Sequence, residues 1–111
     1  MDGNAIIYCE GYFNTPWGKT AHGLLRFTRR YRVVGLIDSR YAGEDAGEVL
    51  DGRPNGITVS ASLEEAMKTA RSSGNPASHY VFGLAPDGGV VDEAMRRAIL
   101  EAIHAGLNVD C

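Results

Sequence analysis

The residues of this chain whose types and spacing could do chemistry gather in three short stretches. Gly18, Lys19 and Thr20 close a turn that begins at Gly11, at the point where an apolar run gives way to helical spacing. A helix start offers free amides and the positive end of its dipole, so a glycine, a cation and a hydroxyl there suit a phosphate or carboxylate. Asp38 ends a second apolar run, 20 residues beyond Gly18, where a carboxylate can hold ribose hydroxyls or an amine. Arg40 follows two residues later and could meet a phosphate or pair with a nearby acid. The third stretch, GLAPDGG at residues 83–89, contributes Ala85, Pro86, Gly88 and Gly89, and its glycines permit backbone angles closed to other residues.

Each of these has a plainer reading. Gly18 could do no more than relieve crowding, Lys19 could be a solvated cation, and an aspartate commonly opens the turn after a strand. A Walker A loop needs a glycine five positions before the second one, and this chain has Phe13 there. The Gly-x-Gly-x-x-Gly fingerprint is absent as well, since the turn holds only Gly11 and Gly18. Tyr12, Phe13 and Trp17 can wall a crevice and stack on a flat ligand, or plug the edge of a sheet. His22 begins the helix at the same place, or is an ordinary helix-surface histidine. With His79 and His104 it shows no metal-ligand spacing. Cys9 and Cys111 are too few for a disulfide framework and read as reduced thiols. No Ser/His/Asp or Cys/His set can be assembled.

Bulk properties narrow the function classes. A net charge of -3, with basic and acidic residues interleaved, provides no broad positive field, so nucleic acid is not an expected partner. Arg26, Arg29, Arg30 and Arg32 form one basic cluster, at a helix end where cations meet the negative dipole pole. No run approaches 18 apolar residues, and MDGNAIIYCEG lacks the basic and apolar regions of a leader, so a cytoplasmic protein without membrane contact is expected. With 111 residues, 44% hydrophobic and 23% charged, the chain predicts one domain over residues 1–111.

The elements that must position these groups follow from periodicity. AIIYCE at 5–10, YRVVGLID at 31–38, ITV at 57–59, HYVFGLA at 79–85 and LNVDC at the end are short apolar runs suited to strands covered on both faces. Ala21, Leu24, Leu25 and Thr28 recur at helical spacing from Thr20, with Thr15 and Pro16 as N-cap and first-turn proline or as loop. Ser62 and Glu65 make a capping box before Leu63, Ala66, Met67 and Ala70, and SSGNP at 72–76 ends that helix. The segment 39–56 reads as loop with a short helix near 46–50. Val91, Met95, Ala98, Ile99, Ala102 and Ile103 mark a last helix stopped at Gly106. Strands alternating with helices, joined by right-handed crossovers, predict an α/β fold: a Rossmann-like open parallel sheet of about five strands, order 3-2-1-4-5, with helices on both faces. Ligands of such sheets bind beyond the carboxyl ends of the strands where the order reverses, between the loops 11–20 and 83–89.

Over GYFNTPWGKTAHGLLRFTRRYRVVGLIDSRYAGEDAGEVL, FGLAPDGG and EAMRRAILEAIHAGLNV, nearly the whole chain, the sequence resembles the N-terminal domain of the DUF1611 family. Lys19, Thr20, Ala21, His22, Asp38, Ala85, Pro86, Gly88 and Gly89 match its recurrent motifs. The resemblance implies a Rossmann-like domain joined, in full-length members, to a C-terminal P-loop domain; some members are described as D-glutamate N-acetyltransferases using acetyl-CoA. This chain ends at Cys111, where such proteins continue, so the P-loop domain is expected to be absent from it, the chain being an excised or naturally short form or the catalytic half lying elsewhere, and acetyl transfer is not assigned to it alone. The first functional expectation is a binding module for an acidic or phosphate-bearing small molecule or nucleotide-like cofactor, acetyl-CoA or a nucleotide being the candidates. Gly11, Gly18, Lys19, Thr20, Asp38, Arg40, Ala85, Pro86, Gly88 and Gly89 are its expected site. The alternative is the substrate-binding half of an N-acyltransferase completed by a P-loop domain. A third is an interaction domain with an empty crevice, since the open edge of a fifth strand invites a second copy or a separate P-loop domain.

Overall fold

The computed structural model describes residues 3–27, 30–83 and 93–110, with Trp17 and Phe27 as backbone only. In the first strand, β1 (Gly3–Tyr8), the apolar run alternates between two cores: Ile6 and Tyr8 face one, Ile7 the other. β2 (Tyr31–Ile37) divides in the same way, Leu36 to one core and Ile37 to the other. Period-two alternation with both faces apolar requires cover on both sides. The cover on one face is α1 (Lys19–Phe27) and α2 (Ala46–Asp51), through Ala21, Leu24, Leu25, Ala46, Val49 and Leu50. The other face carries α3 (Leu63–Ser72) and α4 (Glu93–His104), through Leu63, Ala66, Met95 and Ala102.

Together with β3 (Val59–Ser60), β4 (His79–Phe82) and β5 (Asn108–Asp110) the strands form one sheet of order β3-β2-β1-β4-β5, every pair parallel. The expected topology is therefore the observed one. Tyr8 lies beside Ile37 and Phe82, and Ile37 beside Ser60. That register brings the carboxyl ends of β1, β2, β3 and β4 out level, so the residues that follow them share one rim.

Local chemistry explains the element ends. Ser62 accepts from the Glu65 amide at 3.2 Å and starts α3, while the Glu65 carboxylate takes the Ala61 amide, one residue earlier than a standard capping box would. Asp45 caps α2 by accepting from Glu48 and also holds the amides of Asn55 and Gly56. Gly106 stops α4 in the left-handed region, φ 84°. The third strand is shorter than ITV and displaced. Thr58 instead bridges Asp45 antiparallel, and Ile57 accepts from Ala46, so the loop before α2 takes the backbone groups that a longer ladder would need. Proline at residue 16 opens a 3-10 turn, Pro16–Gly18, that runs into α1; the Thr15 hydroxyl donates to Tyr12 O and does not cap it.

The basic cluster does more than face solvent. Arg26 ion-pairs with Asp51 and so ties α1 to α2. Arg30 lies 5.0 Å over the Tyr31 ring and 3.2 Å from the Asp110 carboxylate of β5. Arg29 and Thr28 lie outside the described residues. Among those residues, no helix is long and apolar enough to cross a membrane.

Where β4 ends, Gly83 meets α1. Its amide donates to Tyr8 O at 2.8 Å and its carbonyl accepts from Ala21 N at 3.2 Å. A β-carbon there would sit 2.7 Å from both Ala21 Cβ and Ile7 Cγ2. Gly83→Ala is expected to destabilise the fold by about 1–3 kcal/mol through overpacking, read as a lower urea midpoint. An unchanged midpoint would show that α1 can retreat freely from the sheet.

Candidate functional site

The rim at the carboxyl edge is built around Asp38. As the residue after β2 it is 0% exposed. Its Oδ2 accepts from Phe13 N at 3.1 Å and from Arg40 Nη2 at 2.7 Å, and its Oδ1 accepts from Arg40 N and Arg40 Nε, each at 3.1 Å. Arg40 also donates to Asn14 Oδ1 at 3.2 Å and stacks over Tyr41, 5.1 Å from the ring centroid. Burial by itself pushes the Asp38 carboxyl up. The Arg40 guanidinium and the amides of Phe13, Arg40 and Gly11 more than offset this and hold it below the ordinary carboxylate value. A second clasp lies beside it: Glu10 accepts from the Ser39 amide at 2.8 Å and the Ser39 hydroxyl at 2.7 Å. The exits of β1 and β2 are thus tied to each other twice.

The start of α1 is equally occupied. Phe13 is 0% exposed and fills the core beneath the turn, so of the two uses open to this aromatic it serves as the plug. Its carbonyl is held by His22 Nε2, and its ring meets the His22 ring edge-on at 5.9 Å. A carbonyl only accepts, so Nε2 carries the proton in this contact. Gly18 is buried, and a β-carbon there would lie 2.5 Å from the Tyr12 and Phe13 carbonyl oxygens. Close packing, then, is the reason for that glycine. The amides of Gly18, Lys19 and Ala21 donate to Thr15 O, Pro16 O and Gly83 O. Three of the amides that the sequence offers to an anion are therefore taken up by the protein itself. What stays exposed on this bank is side chain: Lys19 and Thr20, with the half-exposed Arg40. Gly11 supplies the turn's left-handed residue, φ 83°. Ala85, Pro86, Gly88 and Gly89 lie outside the described residues.

On the opposite bank a cleft of about 310 Å³ opens between the start of α3 and the first turns of α4, over the ends of β1 and β2 and beside Tyr80 of β4. Tyr8, Ile37 and Tyr80 line its sheet side, and Glu10, Ser62, Arg97 and Glu101 stand around it. A hollow of about 360 Å³ between α3 and α4 shares Ser62, Leu63 and Glu101 with it. Sequence spacing marks Ser62 and Leu63 only as the start of a helix, and singles out none of these residues as a binding group. The one signal that bears on them is a tyrosine at residues 8 and 80, each inside a short, mainly apolar run.

The remaining candidates are not gathered here. His79 contacts Ser78 Oγ through Nδ1 at 2.8 Å, and its ring lies 5.4 Å from that of Tyr31. Cys9 is fully buried, and its thiol is pushed up by burial first and by Asp38 and Glu10 next, so it stays protonated and unreactive. Among the described residues no group of His, Cys, Asp and Glu could hold a metal ion.

Residues 39–110 match the family model described as Domain of unknown function (DUF1611_N), Rossmann-like domain. The chain belongs to the DUF1611 family. A DUF1611 family protein from Anabaena variabilis has a solved structure similar to this one, with a TM-score of 0.80 at 24% identity, covering 96% of this chain and 28% of that one. The likeness at that identity is one of fold, and this chain spans little more than a quarter of the length of that relative. No curated protein matches the chain.

The buried carboxylate makes this DUF1611 domain sensitive to acid in a defined direction. A carboxyl held below its unfolded value, about 3.9 for aspartate, contributes stability that is complete above that value. The contribution is lost as pH falls through the folded value. Asp38→Asn is expected to cost about 1–3 kcal/mol at neutral pH by leaving charged and amide donors poorly matched. The gap from the parent chain should narrow below about pH 4. Urea unfolding at pH 7 and pH 3 checks this, and a gap of the same size at both would rule out the charge as its source.

Proposed function

We propose that this domain is a binding module that holds a small acidic or phosphate-bearing molecule, or a nucleotide-like cofactor, at the carboxyl edge of its sheet. The observation that carries the reading is the topology of the sheet at its carboxyl edge. α1 leaves β1 toward one face, α4 packs on the other, and Gly83 is seated against α1 between them. That is the switch point at which open α/β sheets receive ligands. With the Gly18, Lys19 and Ala21 amides engaged, the anion would be met mainly by side chains, Lys19 and Thr20 first and Arg40 at the adjoining rim. The Asp38 clasp supports this by holding Arg40 and the Gly11–Asn14 turn in one geometry before any ligand arrives, which lowers the ordering cost of binding.

A second reading is favoured by length, since the Anabaena variabilis protein is more than three times as long as the part this chain covers. In it the domain is the substrate-holding half of an N-acyltransferase and presents an amino acid such as D-glutamate to a P-loop domain that carries acetyl-CoA.

A thermal-shift panel of NAD, ATP, acetyl-CoA, D-glutamate and L-glutamate separates the two. A ligand that binds only the folded state adds about 2.7 kcal/mol at a hundredfold excess over Kd, which raises the melting temperature by several degrees. A nucleotide or acetyl-CoA shift supports the first reading; a glutamate shift by itself supports the second. In either case the shift should vanish in Lys19→Ala, whose unliganded melt stays within about 0.5 kcal/mol of the parent because the residue is exposed. No shift with any of the five, or one that Lys19→Ala leaves intact, overturns the reading.

A further inference from the structure

The cleft on the α3–α4 bank has a chemistry different from that of the α1 bank. Tyr80 is 1% exposed and lines this cleft. Its hydroxyl makes no hydrogen bond within the described residues, whereas every side-chain nitrogen or oxygen there that is wholly shut off has a partner. The hydroxyl therefore opens onto the cleft. A buried tyrosine oxygen normally has a partner, so one left without it in a cleft wall is set to receive one from outside. Burial first, then Tyr8 and Glu101, push this hydroxyl well up, so it stays neutral and able to accept an N–H.

The charges around that hydroxyl are mostly negative. Glu10 spends both oxygens on the amide and hydroxyl of Ser39, neutral donors that leave its charge uncancelled. Glu101 is exposed and makes no ion pair among the described residues. Among the described residues Arg97 is the one cation in the lining, and Glu93 balances it at 3.4 Å, one turn away on α4. The floor includes two tyrosines, Tyr8 and Tyr80, and tyrosine faces attract cations. Two carboxylates over an aromatic floor repel phosphate and carboxylate. They are too few to complete a metal shell, which needs six or more oxygens for the hard divalent cations.

We propose that this cleft is a binding site for a small organic amine, its ammonium lying between Glu10 and Glu101 against the tyrosine rings and donating an N–H to the Tyr80 hydroxyl. At about 310 Å³ the cleft stands at the small end of ligand pockets, roughly 300–1,000 Å³, which suits a compact amine. The site shares only its place at the carboxyl edge with the anion reading above, and neither Lys19 nor Thr20 takes part.

The test is calorimetric titration of the full chain with ethanolamine, agmatine and tetramethylammonium, with acetate and phosphate as anionic controls. At least one primary amine should bind saturably, and neither anion should compete with it. Glu101→Gln removes a charge on an exposed helix face without threatening the fold, and should raise Kd about tenfold for any amine bound. Tyr80→Phe should weaken ethanolamine or agmatine but leave tetramethylammonium, which has no N–H, within about twofold. If Tyr80→Phe does not fold, Glu101→Gln decides. Lys19→Ala should leave amine binding unchanged, so failure of the anion reading and failure of this one are separable. Absence of saturable binding by all three cations, or equal affinity in Glu101→Gln, overturns the proposal.

Discussion

Taking a carboxylate out of water costs several kcal/mol even after the protein relaxes around it, so Asp38 can sit with no accessible surface only because its position comes with a full set of donors. Those donors are supplied by two different segments, the turn after β1 through Phe13 and the residues after β2 through Arg40. The carboxylate is therefore the joint between the two strand exits. If it moved, the Gly11–Asn14 turn would lose its anchor, Arg40 would leave the Tyr41 ring, and the level alignment of the strand exits would no longer be enforced. The Glu10–Ser39 clasp repeats the joint one step further out, with weaker, more exposed partners.

The small residues at the same edge serve packing. Gly18 passes under two carbonyls of the preceding turn, and Gly83 lies against Ala21 and Ile7. Close approach of α1 to the sheet is what places Lys19 and Thr20 at the rim, and the amides that approach uses are amides no ligand can take. A glycine before a lysine at a helix start thus has two physical explanations, a phosphate cradle or a tight helix–sheet contact. The neighbours of Gly18 decide for the contact.

The carboxyl edge consequently has two unlike banks. On the α1 side exposed cations stand above a plugged turn. On the α3–α4 side carboxylates and a buried phenol surround an open cleft. The family match and the Anabaena variabilis structure identify the fold that carries these banks; the chemistry of each bank is argued from its own side chains.

Much of the fold was written locally. Short runs such as AIIY and YRVV, apolar on both faces, require a doubly covered parallel sheet. The Ser62–Glu65 pair marks a helix start through bonds that span three or four residues, and the right-handed crossover rule leaves few orders for five strands. The strand order and both helical layers were legible for that reason. The site was not, because its contacts join residues far apart in the chain: Phe13 to Asp38 and Glu10 to Ser39 across 25 and 29 positions, and Tyr80 to the walls of α4. Spacing can nominate a carboxylate at a strand end. Whether that carboxylate faces a ligand or its own neighbours depends on how closely two loops pack, and only the tertiary structure sets that distance.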